Sequence, residues 1–116
     1  MQKAAIVSLA RRLGEEVQRD PFLLASREGI TVSFCPFSRQ RGAYCVVSGV
    51  SLLLLNGRLS REESLRVCAH EMGHHFLHAH RLLPLNGHRD SPFIKRAERE
   101  ADLFAAAFLL PEGTKS

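Results

Sequence analysis

Tryptophan is absent from this 116-residue chain and tyrosine occurs once; phenylalanine supplies the other seven aromatics. Sixteen Lys and Arg outnumber twelve Asp and Glu, a formal charge of +4. That excess is scattered, as at Arg11–Arg12, Arg39–Arg41 and Lys95–Arg99. No basic stripe interleaved with stacking aromatics is present, so direct nucleic-acid binding is not expected. The three cysteines, Cys35, Cys45 and Cys68, form no CxxC pair and have apolar neighbours. This argues for buried thiols rather than a disulfide framework, with Cys35–Cys45 pairing across adjacent strands as the alternative. The apolar run "VSLLLL" is far too short to cross a bilayer. The N-terminus reads as an amphipathic helix rather than a signal peptide, which makes the cytoplasm the expected compartment and a membrane association unexpected. There is no internal repeat or low-complexity tract.

What is present is a sequence of 45% hydrophobic and 24% charged residues, enough for a single globular domain over 1–116. Ile6, Leu9, Leu13 and Val17 recur at helical spacing and predict a first helix over about residues 3–18. "DPFLLASREG" predicts a short second helix, with Asp20 as cap, Pro21 at the first position and Gly29 as the stop. "ITVSFCPF", "AYCVVSG" and "VSLLLLN" read as three strands of a mainly antiparallel sheet, with Ser48–Gly49 as a hairpin connection and Asn56–Gly57 ending the third strand. "SREE" at Ser60–Glu63 matches a capping box that opens a long helix, whose latest end is set by Pro84. "LPLNGHRDS" reads as a loop. A last helix, capped by Ser91 with Pro92 at its first position, runs to about Leu110. The fold class is therefore α+β.

The long helix carries "CAHEMGHHFLHAH", with five of the six histidines. His70-Glu71-Met72-Gly73-His74 is HExxH. Residues four apart on a helix differ by only about 40° around the axis and lie one turn apart, so His70 and His74 can grip one zinc ion from one face. Glu71 then leans over the metal as the base for a zinc-activated water. Leu65, Cys68, Met72 and Phe76 fall on the opposite side and should pack on the sheet. Gly73 sacrifices helix propensity, which suggests a close approach by another segment or by substrate. His75 lies off the metal face. His78 extends the ladder two turns beyond His70, where a role supporting a ligand from behind, a pocket-rim role and a partly exposed polar residue are all open. His80 is a rival ligand by its ten-residue distance from His70, but Leu77 stands where a turn-forming glycine would be needed. His88 reads as a surface histidine.

A catalytic zinc takes three protein ligands and leaves one position open. "SPFIKRAEREADLFAAAFLLP" offers Glu98, Glu100 and Asp102. Glu98 and Asp102 share a face with Ala105 and Leu109, so Glu98 can bind the metal while Asp102 accepts from a ligand imidazole. Glu100 points about 160° away from Glu98 on an ideal helix and stays open as the alternative, since a one-residue error in phase exchanges the two. Small Ala101 and Ala105 permit close approach to the histidine helix.

The two stretches together carry a resemblance. "AHEMGHHFLH" and "EREADLFAAAFLLP" resemble the paired signatures of the ImmA/IrrE zinc metallopeptidases, peptidase family M78, and "DPFLLASREGITV" and "LLLLNG" add to the likeness, which spans about Asp20 to Pro111. The resemblance implies a zincin-like arrangement with His70, His74 and Glu98 as zinc ligands and Glu71 as the catalytic base. It implies site-specific cleavage of a helix-turn-helix (XRE-type) repressor, the repressor being a separate chain because no such motif is recognisable here. Many relatives continue beyond "LLP" with further helices. Two other readings compete with an endopeptidase: a metal-retaining module that controls a repressor without proteolysis, and a structural zinc domain, which would have no use for Glu71. For the oxyanion, Tyr44, His78 and His88 are the candidate donors.

Overall fold

Seven elements follow one another in the computed structural model, which describes residues 2–36, 39–78 and 91–110. They are α1 (Lys3–Glu16), α2 (Pro21–Arg27), β1 (Thr31–Cys35), β2 (Gly42–Val47), β3 (Val50–Asn56), α3 (Arg61–His78) and α4 (Pro92–Leu109). Local chemistry accounts for most of the boundaries. α1 gives way at Gln18 and Arg19, both in the left-handed region. The Asp20 side chain accepts from Phe22 N–H at 2.9 Å and Leu23 N–H at 3.3 Å, starting α2 with Pro21 at its first position. Gly29, at φ 71°, ends that turn. The capping box forms as the sequence predicts: Glu63 N–H donates to Ser60 Oγ at 3.1 Å, and Ser60 N–H donates to Glu63 Oε1 at 2.9 Å. Those backbone and hydroxyl contacts at Ser60 hold the exposed Glu63 carboxyl below its ordinary range. Ser91 sits at the start of α4 with no side-chain capping bond.

The sheet is mixed rather than mainly antiparallel. Its order is β1-β3-β2, with β3 antiparallel to β2 and parallel to β1. The β2–β3 hairpin turns at Ser48 and Gly49, both with positive φ, and Val47 pairs with Val50. The chain leaving β1 therefore does not fold straight back beside it. The physical reason lies in β3, whose "LLLL" is the most apolar stretch of the sheet: alternation puts Leu53 and Leu55 on the core face and leaves Leu52 and Leu54 half-buried on the other. Leu53 and Leu55 are fully buried, whereas β1 and β2 carry exposed Phe34, Val46 and Val47 and take the edges. With β3 between them, β1 and β2 stand about 9–10 Å apart, and Cys35 pairs with Asn56 whereas Cys45 pairs with Leu52, four residues along β3, so the two are beyond disulfide reach; all three cysteines are free.

One face of α3 packs on β2 and β3 and another on α4, which is covered in turn by α1; α2 bridges α3 and β1. Cys68 and Met72 of the expected stripe are fully buried, while Leu65 and Phe76 are half-buried. Phe76, Phe104 and Phe108 form a stacked run joining α3 to α4. Two glycines bring backbones together. A Cβ on Gly14 would lie 2.6 Å from the Phe108 carbonyl oxygen, and one on Gly73 would lie 3.1 Å from Ala101 Cα. The close approach suggested by Gly73 is thus made by α4. The predicted extension of α3 toward Pro84, the "LPLNGHRDS" loop, His80, His88 and Pro111 lie outside the described residues. No described helix is long and apolar enough to cross a membrane.

Candidate active site

The i,i+4 ladder on α3 sets Arg66, His70, His74 and His78 on successive turns of one side, and α4 lies against it. Glu98 Oε2 is 2.7 Å from His70 Nε2 and 3.1 Å from His74 Nε2. One ligand atom from each of these three residues lies within 4.8 Å of the others, a group able to hold a metal ion. The two carboxylates weighed as third ligand, Glu98 and Glu100, have different neighbours. Only Glu98 reaches both imidazoles in this group; Glu100 turns away and accepts at 2.8 Å from His78 Nε2.

Each ring nitrogen turned away from Glu98 also has a partner. His70 Nδ1 donates to Asp102 Oδ1 at 2.7 Å, the contact expected from the Glu98–Asp102 face. His74 Nδ1 is 3.0 Å from His78 Nδ1. These bonds fix the rings and aim both Nε2 atoms at the same point.

Electrostatics follow from this crowding. Burial alone pulls the His70 imidazole down, but its hydrogen bond to Glu98 and the charges of Glu71, Glu98 and Asp102 outweigh that and push it up to about 9. The partner effect appears at Glu98, whose hydrogen bonds to His70 and His74 hold its carboxyl far below the usual carboxylate range. Glu71 is buried, and burial raises its carboxyl pKa; the charges of His74 and His70 oppose that rise. Cys68 is pushed up to about 12, chiefly by burial and then by Asp20 and Glu71, which keeps its thiol protonated at neutral pH.

His70, Glu71, Glu98 and Asp102 open onto a cleft of about 420 Å³ that is also lined by Arg41, Gly42 and Arg66. The two arginines are the residues that sequence reasoning missed. Arg66 was legible as the ladder's next step back from His70, and Arg41 enters from the start of β2. Of the donor candidates, Tyr44 and His78 are engaged elsewhere, and His88 lies outside the described residues. The Tyr44 hydroxyl bonds His75 Nδ1 at 2.8 Å and Ser51 Oγ at 3.1 Å. His75, off the metal face as its phase predicts, also contacts Glu28. His78 is buried behind His74 rather than on the rim.

Residues 25–114 match the family model of the IrrE N-terminal-like domain, peptidase M78. The chain belongs to the M78 peptidase family. Its His70, His74 and Glu98 group and its match to a peptidase family together make this a metallopeptidase. The M78 chain is also similar to uncharacterized immunity region protein 2 of Bacillus phage phi105, with 29% identity over 113 residues, covering 95% of this chain and 68% of the phage protein.

Proposed function

We propose that this M78 chain is a zinc-dependent endopeptidase acting in the cytoplasm on a helix-turn-helix repressor, with 1–116 working as one catalytic domain. The observation that carries the reading is the convergence of His70 Nε2, His74 Nε2 and Glu98 Oε2 on one point, with Glu71 in the wall of the same cleft. The donor set fits the metal: two imidazoles and one carboxylate are a zinc ligand set that leaves a position open, and no thiolate reaches the group. When bound there, zinc polarises a carbonyl and lowers the pKa of water.

The chain's own residues do the rest. Glu71 takes the water proton onto a carboxylate oxygen and passes it to the leaving amine nitrogen. Burial raises the Glu71 carboxyl pKa, which favours its taking up that proton. Asp102 holds the His70 ring in place. Arg41 and Arg66 bring hydrogen-bond donors to the cleft. An extended peptide can add to a free sheet edge: β3 is paired on both sides, and β2, whose Gly42 lines the cleft, is the edge strand beside the site. Cleavage would then fall in an exposed or locally unfolded stretch of the repressor.

A repressor as substrate is supported by family membership and by likeness to a phage immunity region protein. The test is to incubate the zinc-loaded protein with the repressor encoded beside it, next to a Glu71→Gln control. Fragments from the unmodified protein alone support the proposal. An intact repressor held in a stable complex by both proteins would instead identify a binding module.

A further inference from the structure

One buried polar chain runs from α4 back into α3. His78 is only 3% exposed. Its Nε2 lies 2.8 Å from Glu100 Oε1, and its Nδ1 lies 3.0 Å from His74 Nδ1. His78 and Glu100 make further interactions as well. Two ring nitrogens that face each other at 3.0 Å need one hydrogen between them, so one ring must donate and the other accept. An imidazole that binds metal through Nε2 carries its hydrogen on Nδ1. His74 is therefore the donor, and His78 must present a bare Nδ1 and carry its own hydrogen on Nε2. Glu100, an acceptor against that Nε2, selects this tautomer.

We propose that Glu100 and His78 are positioning residues for the metal: Glu100 fixes the His78 tautomer, and His78 fixes the orientation and tautomer of His74. This rests on the reading of His70, His74 and Glu98 as the ligand set. The two ligand histidines would then be oriented by carboxylates of the same helix, His70 directly by Asp102 and His74 through His78 by Glu100. The spacing Glu98, Glu100, Asp102 acquires a reason. Glu98 and Asp102 share the face toward His70, while Glu100 serves the ring one turn further along α3. An apolar residue at 78 would leave the buried His74 N–H without its acceptor, whereas a glutamine there can accept through its amide oxygen with no help from Glu100.

The test is a cobalt titration of the full chain, reading Kd from the d–d absorption bands, with circular dichroism of the metal-free proteins as the folding control. Glu100→Leu should weaken cobalt binding about 10- to 100-fold, the scale of losing a partner that orients a metal-bound histidine. His78→Gln should stay within about threefold of the unmodified protein, because its amide oxygen replaces one acceptor with another. Adding Glu100→Leu to His78→Gln should then cost almost nothing, since the relay is bypassed. The non-additive cycle is the signature that a packing role would not produce. Unchanged affinity in Glu100→Leu, or the same loss in both backgrounds, overturns the relay while leaving the ligand set standing. No cobalt binding by the unmodified protein overturns the ligand set and the relay with it.

Discussion

Gly73 is the position where packing and chemistry are most tightly joined, and Gly73→Ala separates them. The new Cβ would meet Ala101 Cα at 3.1 Å, Ala101 O at 3.2 Å and Phe104 Cβ at 3.2 Å. None of these is the end of a flexible side chain, so α4 itself must retreat by a few tenths of an ångström. Alanine adds about 1 kcal/mol of helix propensity. Overfilling a tight contact costs about 1–3 kcal/mol. The net is a metal-free protein destabilised by roughly 0–2 kcal/mol. The effect on the site is larger. Ala101 stands between Glu98 and Asp102 on α4, so its retreat draws both carboxylates away from His70 and His74. Metal sites hold ligand distances to about ±0.2 Å, and zinc affinity should fall about 10- to 100-fold, as when an orienting partner is lost. Urea melts of the metal-free protein and a chelator-competition titration of zinc measure the two quantities. An unchanged zinc Kd would refute the claim that the Gly73–Ala101 contact sets the distance between the ligand helices.

The remaining predictions probe separate links. Phe104→Ala removes a fully buried ring stacked on Phe76 and Phe108 and should cost about 3–5 kcal/mol in urea unfolding. Ser60→Ala breaks the capping box that starts α3 and should cost about 1 kcal/mol by the same assay. Asp102→Ala leaves His70 Nδ1 without its acceptor and should weaken zinc binding about 10- to 100-fold, with little change in the metal-free melt. In the presence of chelator, stability should also depend on pH through the His70–Glu98 pair, one interaction felt by both partners. His70 is raised from 6.5 to about 9, so its contribution is complete below pH 6.5 and is lost as pH rises through 9. Glu98 is lowered from 4.5, so its contribution is present above that value and is lost only under strongly acidic conditions. A metal-free melting temperature that does not fall between pH 6.5 and 9 would contradict the pairing.

The parts of this fold that were legible in the sequence are those set by short-range chemistry. Asp20-Pro21, Ser60 with Glu63, and Ser48-Gly49 each fix a turn or helix start within four residues, and each forms as expected. The phase of α3 separated His70 and His74 from His75 because helical geometry is rigid over two turns. Strand order was not legible, because it depends on which strand sets the most side chains into the core. The "LLLL" of β3 carried that information, but the hairpin pattern beside it suggested a simple antiparallel sheet. His78 was harder still. Its i,i+4 spacing placed it on the ligand side, but its partner, Glu100, came from another helix and had been weighed only as a rival ligand for the metal. Tyr44 was similarly ambiguous: a lone tyrosine near a cleft looks like an oxyanion donor until His75 and Ser51 are found around its hydroxyl.

The most direct measurement is a crystal structure of the zinc-loaded protein with anomalous data at the zinc edge. The account predicts one ion bound by His70 Nε2, His74 Nε2 and a Glu98 carboxylate oxygen, with the remaining position open to the cleft beside Glu71. Zinc held by Glu100 or His80 in place of Glu98, or closed off by a fourth side chain, would contradict it.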